Sequence, residues 1–145
     1  MTLDEWDLKL PNGFHDAKIF SIAIDYVAGI AKFHVALHVG WSDDPEPECD
    51  EYQDAEMVVT GLSLCSIDPP DPERFRTDGR PICVGGDPAQ PDHLPALPEL
   101  LAKCPPGTWC YRFYVHDWNR FIHVAAIDAQ VSWIGPPPKH AADMT

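Results

Sequence analysis

Residues 108–134, TWCYRFYVHDWNRFIHVAAIDAQVSWI, form a long proline-free run dominated by aromatic, β-branched and small apolar residues, in a chain that contains 16 prolines. Residues of these types favour β-strands. The polar segment Asp117-Trp118-Asn119-Arg120 divides the run into two halves and is rich in turn formers. The sequence therefore predicts a β-hairpin here, with one apolar face that belongs to the core.

The register of this hairpin follows from its alternation. With an even number of loop residues, the expected pairs on the apolar face are Val115–Ile122, Phe113–Val124 and Tyr111–Ala126. Beyond Asp128 the apolar positions change parity, to Val131 and Trp133, so we expect a β-bulge within residues 126–129. A loop of three residues would remove the need for a bulge, but it would place Arg120 in a left-handed conformation that prefers Gly or Asn.

A period-two alternation of apolar and polar residues is clearest near the N-terminus. Its apolar positions are Phe20, Ile22, Ile24 and Tyr26 and, after Ala28-Gly29, Ala31, Phe33, Val35, Leu37 and Val39. A turn at Ala28-Gly29 places both sets on one face and Asp25 opposite Lys32. We therefore expect a second hairpin, with Phe33 and Val35 facing the core.

The remaining segments are shorter and are interrupted by glycine and proline. Met57–Ile67 is a predicted strand that weakens or bulges at Gly61. Glu73–Val84 is compatible with a small hairpin, and Leu97–Lys103 is compatible with a short helix.

About seven strands, nearly all connected as hairpins, predict a mainly β fold. We expect an antiparallel β-sandwich or a partly open barrel with at most one or two short helices. An α+β layer, in which the helix at Leu97 covers one sheet face, is the alternative. Residues 1–135 form a single β-rich domain in this interpretation, and residues 136–145 form a flexible, proline-rich tail.

The N-terminal segment Met1–Asp7 is acidic and lacks the basic and apolar regions of a signal peptide. No apolar run approaches the roughly 20 residues that a membrane helix needs. The five cysteines show neither a CxxC pair nor the spacing of a zinc site, and their odd number argues against a complete set of disulfides. These features predict a cytoplasmic protein with reduced thiols and no membrane partner.

Charge is distributed very unevenly along the chain. Residues 33–73 contain no lysine or arginine, and nearly all of the net charge of −13 belongs to them. Their acids are Asp43, Asp44, Glu46, Glu48, Asp50, Glu51, Asp54, Glu56, Asp68, Asp71 and Glu73. This section is either a solvated loop that maintains solubility or a patch that attracts a basic partner. Nucleic acid is excluded as a partner, because the overall charge repels phosphate.

The predicted partner-binding residues are the acids of the first loop, Asp43, Asp44, Glu46, Glu48, Asp50 and Glu51. An EF-hand is excluded there because the required spacing is absent and Pro45 and Pro47 interrupt the run. Our main interpretation includes neither a metal nor another cofactor. The alternative is a metal site built from His15, Asp16, His116, Asp117 and His123, which requires the two hairpins to pack side by side.

The segment NGFHDAKIFSIAIDY, at residues 12–26, carries the one resemblance to known proteins that we find in the sequence. Its G-F-H-D-A motif, followed by an alternating strand that ends in I-D-Y, resembles the opening of small bacterial proteins of uncharacterised function, some of which have immunity or inhibitor roles. The resemblance covers the first hairpin and implies no catalytic residue.

Two classes of function remain. The first, which we favour, is a small acidic, non-enzymatic binding module that acts as an inhibitor or immunity-type partner of a basic protein. The second is a small metal-dependent hydrolase that uses the His/Asp cluster. A concave pocket in which three of those side chains converge favours the enzyme, whereas an exposed acidic face with dispersed histidines favours the module.

Overall fold

The computed structural model describes residues 1–76, 78–88 and 96–141, and within these ranges the protein is mainly β. The described residues form two α-helices, one 3-10 turn at Glu48–Asp50, and eight strands. The helices are α1 (Leu3–Lys9) and α2 (Leu97–Ala102), and the strands are β1 (Ala17–Asp25), β2 (Ile30–His38), β3 (Tyr52–Thr60), β4 (Leu64–Ile67), β5 (Ile82–Pro88), β6 (Trp109–Val115), β7 (Arg120–Ala126) and β8 (Asp128–Trp133). The predicted fold class is confirmed.

All eight strands belong to one antiparallel sheet with the order β4-β7-β6-β5-β1-β2-β3-β8. Two very short links connect the two ends of this order. Gly61–Ser63 joins β3, near one end, to β4 at the other end, and Ile127 joins β7 to β8 in the same way. Hydrogen bonds continue across the link: Ile127 N–H donates to the Thr60 carbonyl at 3.2 Å, and Ser63 N–H donates to the Ala125 carbonyl at 2.9 Å. The sheet therefore folds back on itself and resembles a partly open barrel.

Aromatic and aliphatic side chains from both halves of the sheet fill its interior. The ring of Phe33 on β2 lies 6.3 Å from that of Phe113 on β6, although these strands are not neighbours in the sheet. Phe14, just before β1, contacts Phe113 edge-on at 5.4 Å. Helix α1 packs against the sheet through Trp6, which is 1% exposed and donates its indole N–H to the Ala129 carbonyl at 2.8 Å.

The N-terminal hairpin has the predicted inner face but a different register. Strands β1 and β2 pair Ile22 with Phe33 and Ile24 with Ala31. The expected pairing of Asp25 with Lys32 is wrong, and the actual partners are Asp25–Ile30 and Ala23–Lys32. The cause is a four-residue turn that Asp25 stabilises, since its carboxylate accepts hydrogen bonds from the backbone N–H groups of Val27 and Ala28 at 3.0 and 2.9 Å.

The alternation places Phe20 and Tyr26 on the core face, but their side chains are 47% and 79% exposed, and Tyr26 lies in the turn after β1. The register shifts between Ile19 and Ser21, so Phe20 is the extra residue of a β-bulge. Its ring stacks on His34 at 4.8 Å on the outer surface, while Ile19 takes the inward position and is 4% exposed.

The C-terminal hairpin also has the predicted face and a shifted register. The observed pairs are Val115–Arg120, Phe113–Ile122 and Tyr111–Val124, two residues away from those expected. The loop is residues 116–119, and Asn119 adopts the left-handed conformation with φ of 51°. Asn119 also accepts a hydrogen bond of 2.6 Å from the Tyr114 hydroxyl. The apolar positions change parity at Ile127, which is exposed between buried Ala126 and Ala129. The change is not the expected bulge within one strand, because β7 ends at Ala126 and β8 begins at Asp128 and pairs with β3.

Three further predictions have definite outcomes. The break at Gly61 is confirmed: its φ is +62°, and an added Cβ would lie 2.7 Å from the Ile127 side chain. The short helix at Leu97 is confirmed as α2. The small hairpin at Glu73–Val84 is wrong, because among its described residues only those from Ile82 onward are strand, and that strand pairs with β1 and β6 instead.

Helix α1 was not predicted. The Thr2 hydroxyl accepts the Glu5 N–H at 3.1 Å, and the Glu5 carboxylate accepts the Thr2 N–H at 2.7 Å. This reciprocal pair is a capping box, which stabilises the first turn of a helix.

The burial of Phe33 and the exposure of its neighbour His34 allow a direct test of the core. Phe33 is 0% exposed, so Phe33→Ala should lower the free energy of unfolding by about 3–5 kcal/mol through lost burial and a residual cavity. His34→Ala should change it by less than about 0.5 kcal/mol, because the His34 side chain is 42% exposed. Urea denaturation of both variants measures the difference, and a reversed ranking would show that the inner face is assigned wrongly.

Candidate functional site

The acidic loop, residues 40–51, is held closed at its base. The backbone N–H groups of Val39 and Gly40 both donate to the Glu51 carbonyl, at 2.9 and 3.3 Å. The Asn12 side-chain amide donates to the carbonyls of His38 and Gly40 at 2.9 and 2.8 Å. A Cβ on Gly40 would overlap the carbonyl oxygens of the 3-10 turn, so the close approach requires glycine. These contacts fix the conformation of the loop at its base.

All six predicted partner-binding acids lie on this loop. Exposed side chains belong to Asp43, Glu46, Glu48, Asp50 and Glu51. Asp44 differs from the others because its side chain is only 10% exposed. The loop also carries Trp41, which is 45% exposed and donates its indole N–H to the Pro11 carbonyl at 3.3 Å.

The C-terminal segment, residues 136–141, places cationic and aromatic groups against the acidic loop. The His140 ring stacks on Trp41 with 3.6 Å between centroids and an interplanar angle of 7°. His140 Nε2 donates to Asp44 Oδ2 at 2.7 Å. Lys139 Nζ lies 3.4 Å from Asp44 and 3.7 Å from Glu48. Asp44 therefore binds a segment of its own chain.

Hydrogen bonding stabilises the charged form of Asp44. The backbone N–H of Trp41, at 2.8 Å, is the largest cause, and the His140 side chain is the second. Together they lower the pKa of the Asp44 carboxyl to about 2. The carboxylate is therefore charged at any pH at which the protein is normally handled.

A second cluster forms where the two hairpins flank β5. Asp16, Cys83 and His116 each offer one ligand atom, and these atoms lie within 4.8 Å of one another. His116 N–H donates to the Cys83 carbonyl at 3.0 Å. The Asp117 carboxylate accepts the Cys83 N–H at 3.0 Å, and the Tyr52 hydroxyl donates to the Asp16 carbonyl at 3.1 Å.

The structure brings together only part of the predicted metal set. Asp16 and His116 meet as proposed, Asp117 contacts the backbone of Cys83, and His15 Nδ1 lies 3.1 Å from the Asp16 carboxylate. His123 lies apart from them. It is buried opposite Arg112 in the sheet, at least three residues along β7 from the turn, and Nε2 is 3.8 Å from Asp68. Three residues of strand span about 10 Å, too far to share a metal.

Cys83 is not recognisable in the sequence as a candidate ligand, because no histidine is near it in the chain. Burial is the main cause that raises the pKa of the Cys83 thiol, followed by the negative charges of Asp16 and Asp117, while Lys18 opposes the change. A raised pKa disfavours the free thiolate, so these neighbours do not activate Cys83 as a nucleophile.

A cleft of about 530 Å³ lies beside this cluster. Cys83 and Asp117 share its wall with Lys18 and the three arginines Arg74, Arg76 and Arg80. Arg80 is paired with Asp78 at 2.7 Å, and Arg74 donates to the His116 carbonyl at 2.9 Å. Four of the ten lysines and arginines of the chain therefore line one cleft.

Comparison with models of known protein families, with curated proteins and with solved structures finds no match. Among the described residues, no helix is long and apolar enough to cross a membrane. The chemistry of the two sites therefore carries the functional interpretation.

The depressed pKa of Asp44 predicts how the docked C-terminal segment responds to acid. The Asp44 carboxylate should stabilise the fold above pH 4, its ordinary range of ionisation, and this contribution should disappear as the pH falls through about 2. Carbon-detected NMR titration should place its midpoint near 2. His140→Ala should move the midpoint only part of the way back, because the larger contribution of the Trp41 N–H remains.

The matched control is His34→Ala, which removes a histidine paired with Asp54 at 3.1 Å and should leave the Asp44 midpoint unchanged. A wild-type midpoint near the ordinary value of 3.8 would contradict the docked arrangement.

Proposed function

We propose that the protein is a non-enzymatic binding module whose acidic loop binds a basic surface of another protein. The observation that carries this proposal is the seating of Lys139 and His140 on the loop. A segment of polypeptide with a lysine and a histidine side chain already binds there, and it contacts both the carboxylates and the exposed indole of Trp41. The surface thus has the complementary chemistry for a lysine- or arginine-bearing partner.

The construction of the loop supports this role. Its base is fixed by backbone and side-chain hydrogen bonds, so little conformational entropy remains to be lost on association. Lys139 lies near only two of the loop's acids, and the exposed carboxylates of Asp43, Glu46 and Asp50 have no cationic partner among the described residues. Such a concentration of one sign of charge accelerates encounter with an oppositely charged protein.

An inhibitor or immunity-type role agrees with this chemistry. Proteins of that kind act by occupying a surface of their target, and they need no catalytic group of their own. The resemblance of residues 12–26 to small bacterial proteins, some with such roles, points in the same direction.

A metal-dependent hydrolase is the second candidate. The observation that favours it is the convergence of Asp16, Cys83 and His116 beside the cleft lined by arginines. Against it, three other histidines have separate partners: His34 contacts Asp54, His38 contacts the Cys49 carbonyl, and His140 contacts Asp44.

The binding proposal predicts that the rate of association with the partner depends more on the position of the acids than on their number. The partner is first isolated from source cells with the wild-type protein, and association is then measured by stopped flow. Changing Asp43→Asn, Glu46→Gln and Asp50→Asn together should slow association roughly tenfold at low salt, because these exposed charges attract the partner at long range. Dissociation should change little.

The control changes three exposed acids elsewhere, Glu56→Gln, Glu73→Gln and Glu99→Gln. It alters the net charge equally and should keep the association rate within about twofold. Raising the salt from about 0.15 M toward 1 M shortens the screening length from about 8 Å to about 3 Å and should reduce the difference between the two variants. Equal rates for both variants, or the absence of any basic partner, would refute the proposal.

A further inference from the structure

We infer that Asp16, Cys83 and His116 form a binding site for a divalent transition metal of the zinc type. The site lies where the segment before β1, strand β5 and the turn after β6 come together. The inference is independent of the acidic loop, which shares no residue with this cluster.

The sheet register explains why these residues meet. Strand β5 lies between β1 and β6, with Val84 paired to Ala17 on one side and to Val115 on the other. Ala17, Val84 and Val115 are buried at 2%, 0% and 0% exposure. The three cluster residues each lie one position away from these buried residues, and neighbouring strand positions face opposite sides of a sheet. The donors therefore gather on the outer surface.

The donor set suits zinc. A thiolate, an imidazole and a carboxylate are its three common protein ligands, with metal–ligand distances of about 2.0–2.3 Å. Such distances place neighbouring ligands about 3.5 Å apart around a tetrahedral ion. The present separations, up to 4.8 Å, require small side-chain rotations that the exposed His116 can make. Three protein ligands leave one position for water, as in catalytic zinc sites.

The two nearest carboxylates favour a cation and orient its ligands, while Lys18 and the arginines of the neighbouring cleft oppose it. Asp16 and Asp117 place two carboxylates around one thiol, and His15 lies against the Asp16 carboxylate at 3.1 Å. The Asp117 carboxylate accepts the Cys83 N–H and so fixes the backbone that carries the thiol. Asp16 has φ of 57°, a left-handed conformation that costs free energy and is often retained at functional sites.

A metal at this site would give the arginine cleft a role. Cys83 lies in the cleft wall, so a metal bound here would sit at its edge, near Lys18 and the arginines. The hydrolase candidate depends on this metal, whereas the binding-module proposal does not.

Calorimetry with zinc chloride alone tests the site in the full-length protein. We expect one ion per chain, and Co²⁺ should give the near-ultraviolet absorption of a thiolate–cobalt bond. Cys83→Ser, His116→Ala and Asp16→Asn should each weaken binding more than about 100-fold, since the loss of a supporting contact alone costs about 10–100-fold. Asn tolerates the left-handed conformation of Asp16, so this variant removes the charge and keeps the backbone.

Cys104→Ser and His34→Ala are the matched controls and should bind zinc like the wild type. A second measurement needs no variant: zinc should protect Cys83, but not Cys104, from alkylation, as measured by mass spectrometry of peptides. No uptake of zinc by the wild type would overturn the inference. Uptake that survives Cys83→Ser but disappears when Asp43, Glu46 and Asp50 are neutralised would also overturn it, because the ion would then bind the acidic loop.

Discussion

The pairing of two bent chain segments, β3–β4 and β7–β8, determines how the rest of the molecule is arranged. Each segment supplies one strand to each end of the sheet, and hydrogen bonds at Thr60 and Ser63 continue the pairing across the bend. Gly61 makes the bend possible because it adopts the left-handed conformation and has no Cβ to clash with Ile127. With the ends joined, β2 and β6 face each other and Phe33 meets Phe113 in the interior.

Both candidate sites depend on this closure. Strand β5 bridges the two hairpins, and this position brings Asp16 and His116 to either side of Cys83. At the acidic loop, residues 136–141 return to residues 40–51 and place His140 on Trp41. In each case, groups far apart in sequence are neighbours because the ends of short strands meet.

Much of the fold was predictable because period-two patterns report which face of a strand is buried. The inner faces of both hairpins, apart from Phe20 and Tyr26, and the change of parity at Ile127 followed from such patterns, and the glycine itself indicated the break at Gly61. Registers were less predictable, since turn length depends on hydrogen bonds such as those from the Asp25 carboxylate to the turn. The capping box of Thr2 and Glu5 is a signal for α1 that is visible in the sequence.

The sequence alone establishes a mainly β protein with one strongly acidic section, because strand periodicity and charge are properties of local sequence. It also predicts that Asp16 and His116 belong to one alternative site, provided that the hairpins pack together. Only the tertiary structure adds Cys83, places Asp44 under the C-terminal segment and separates His123 from the cluster. These relations depend on strand order and register, which arise from contacts between distant parts of the chain and leave no local pattern.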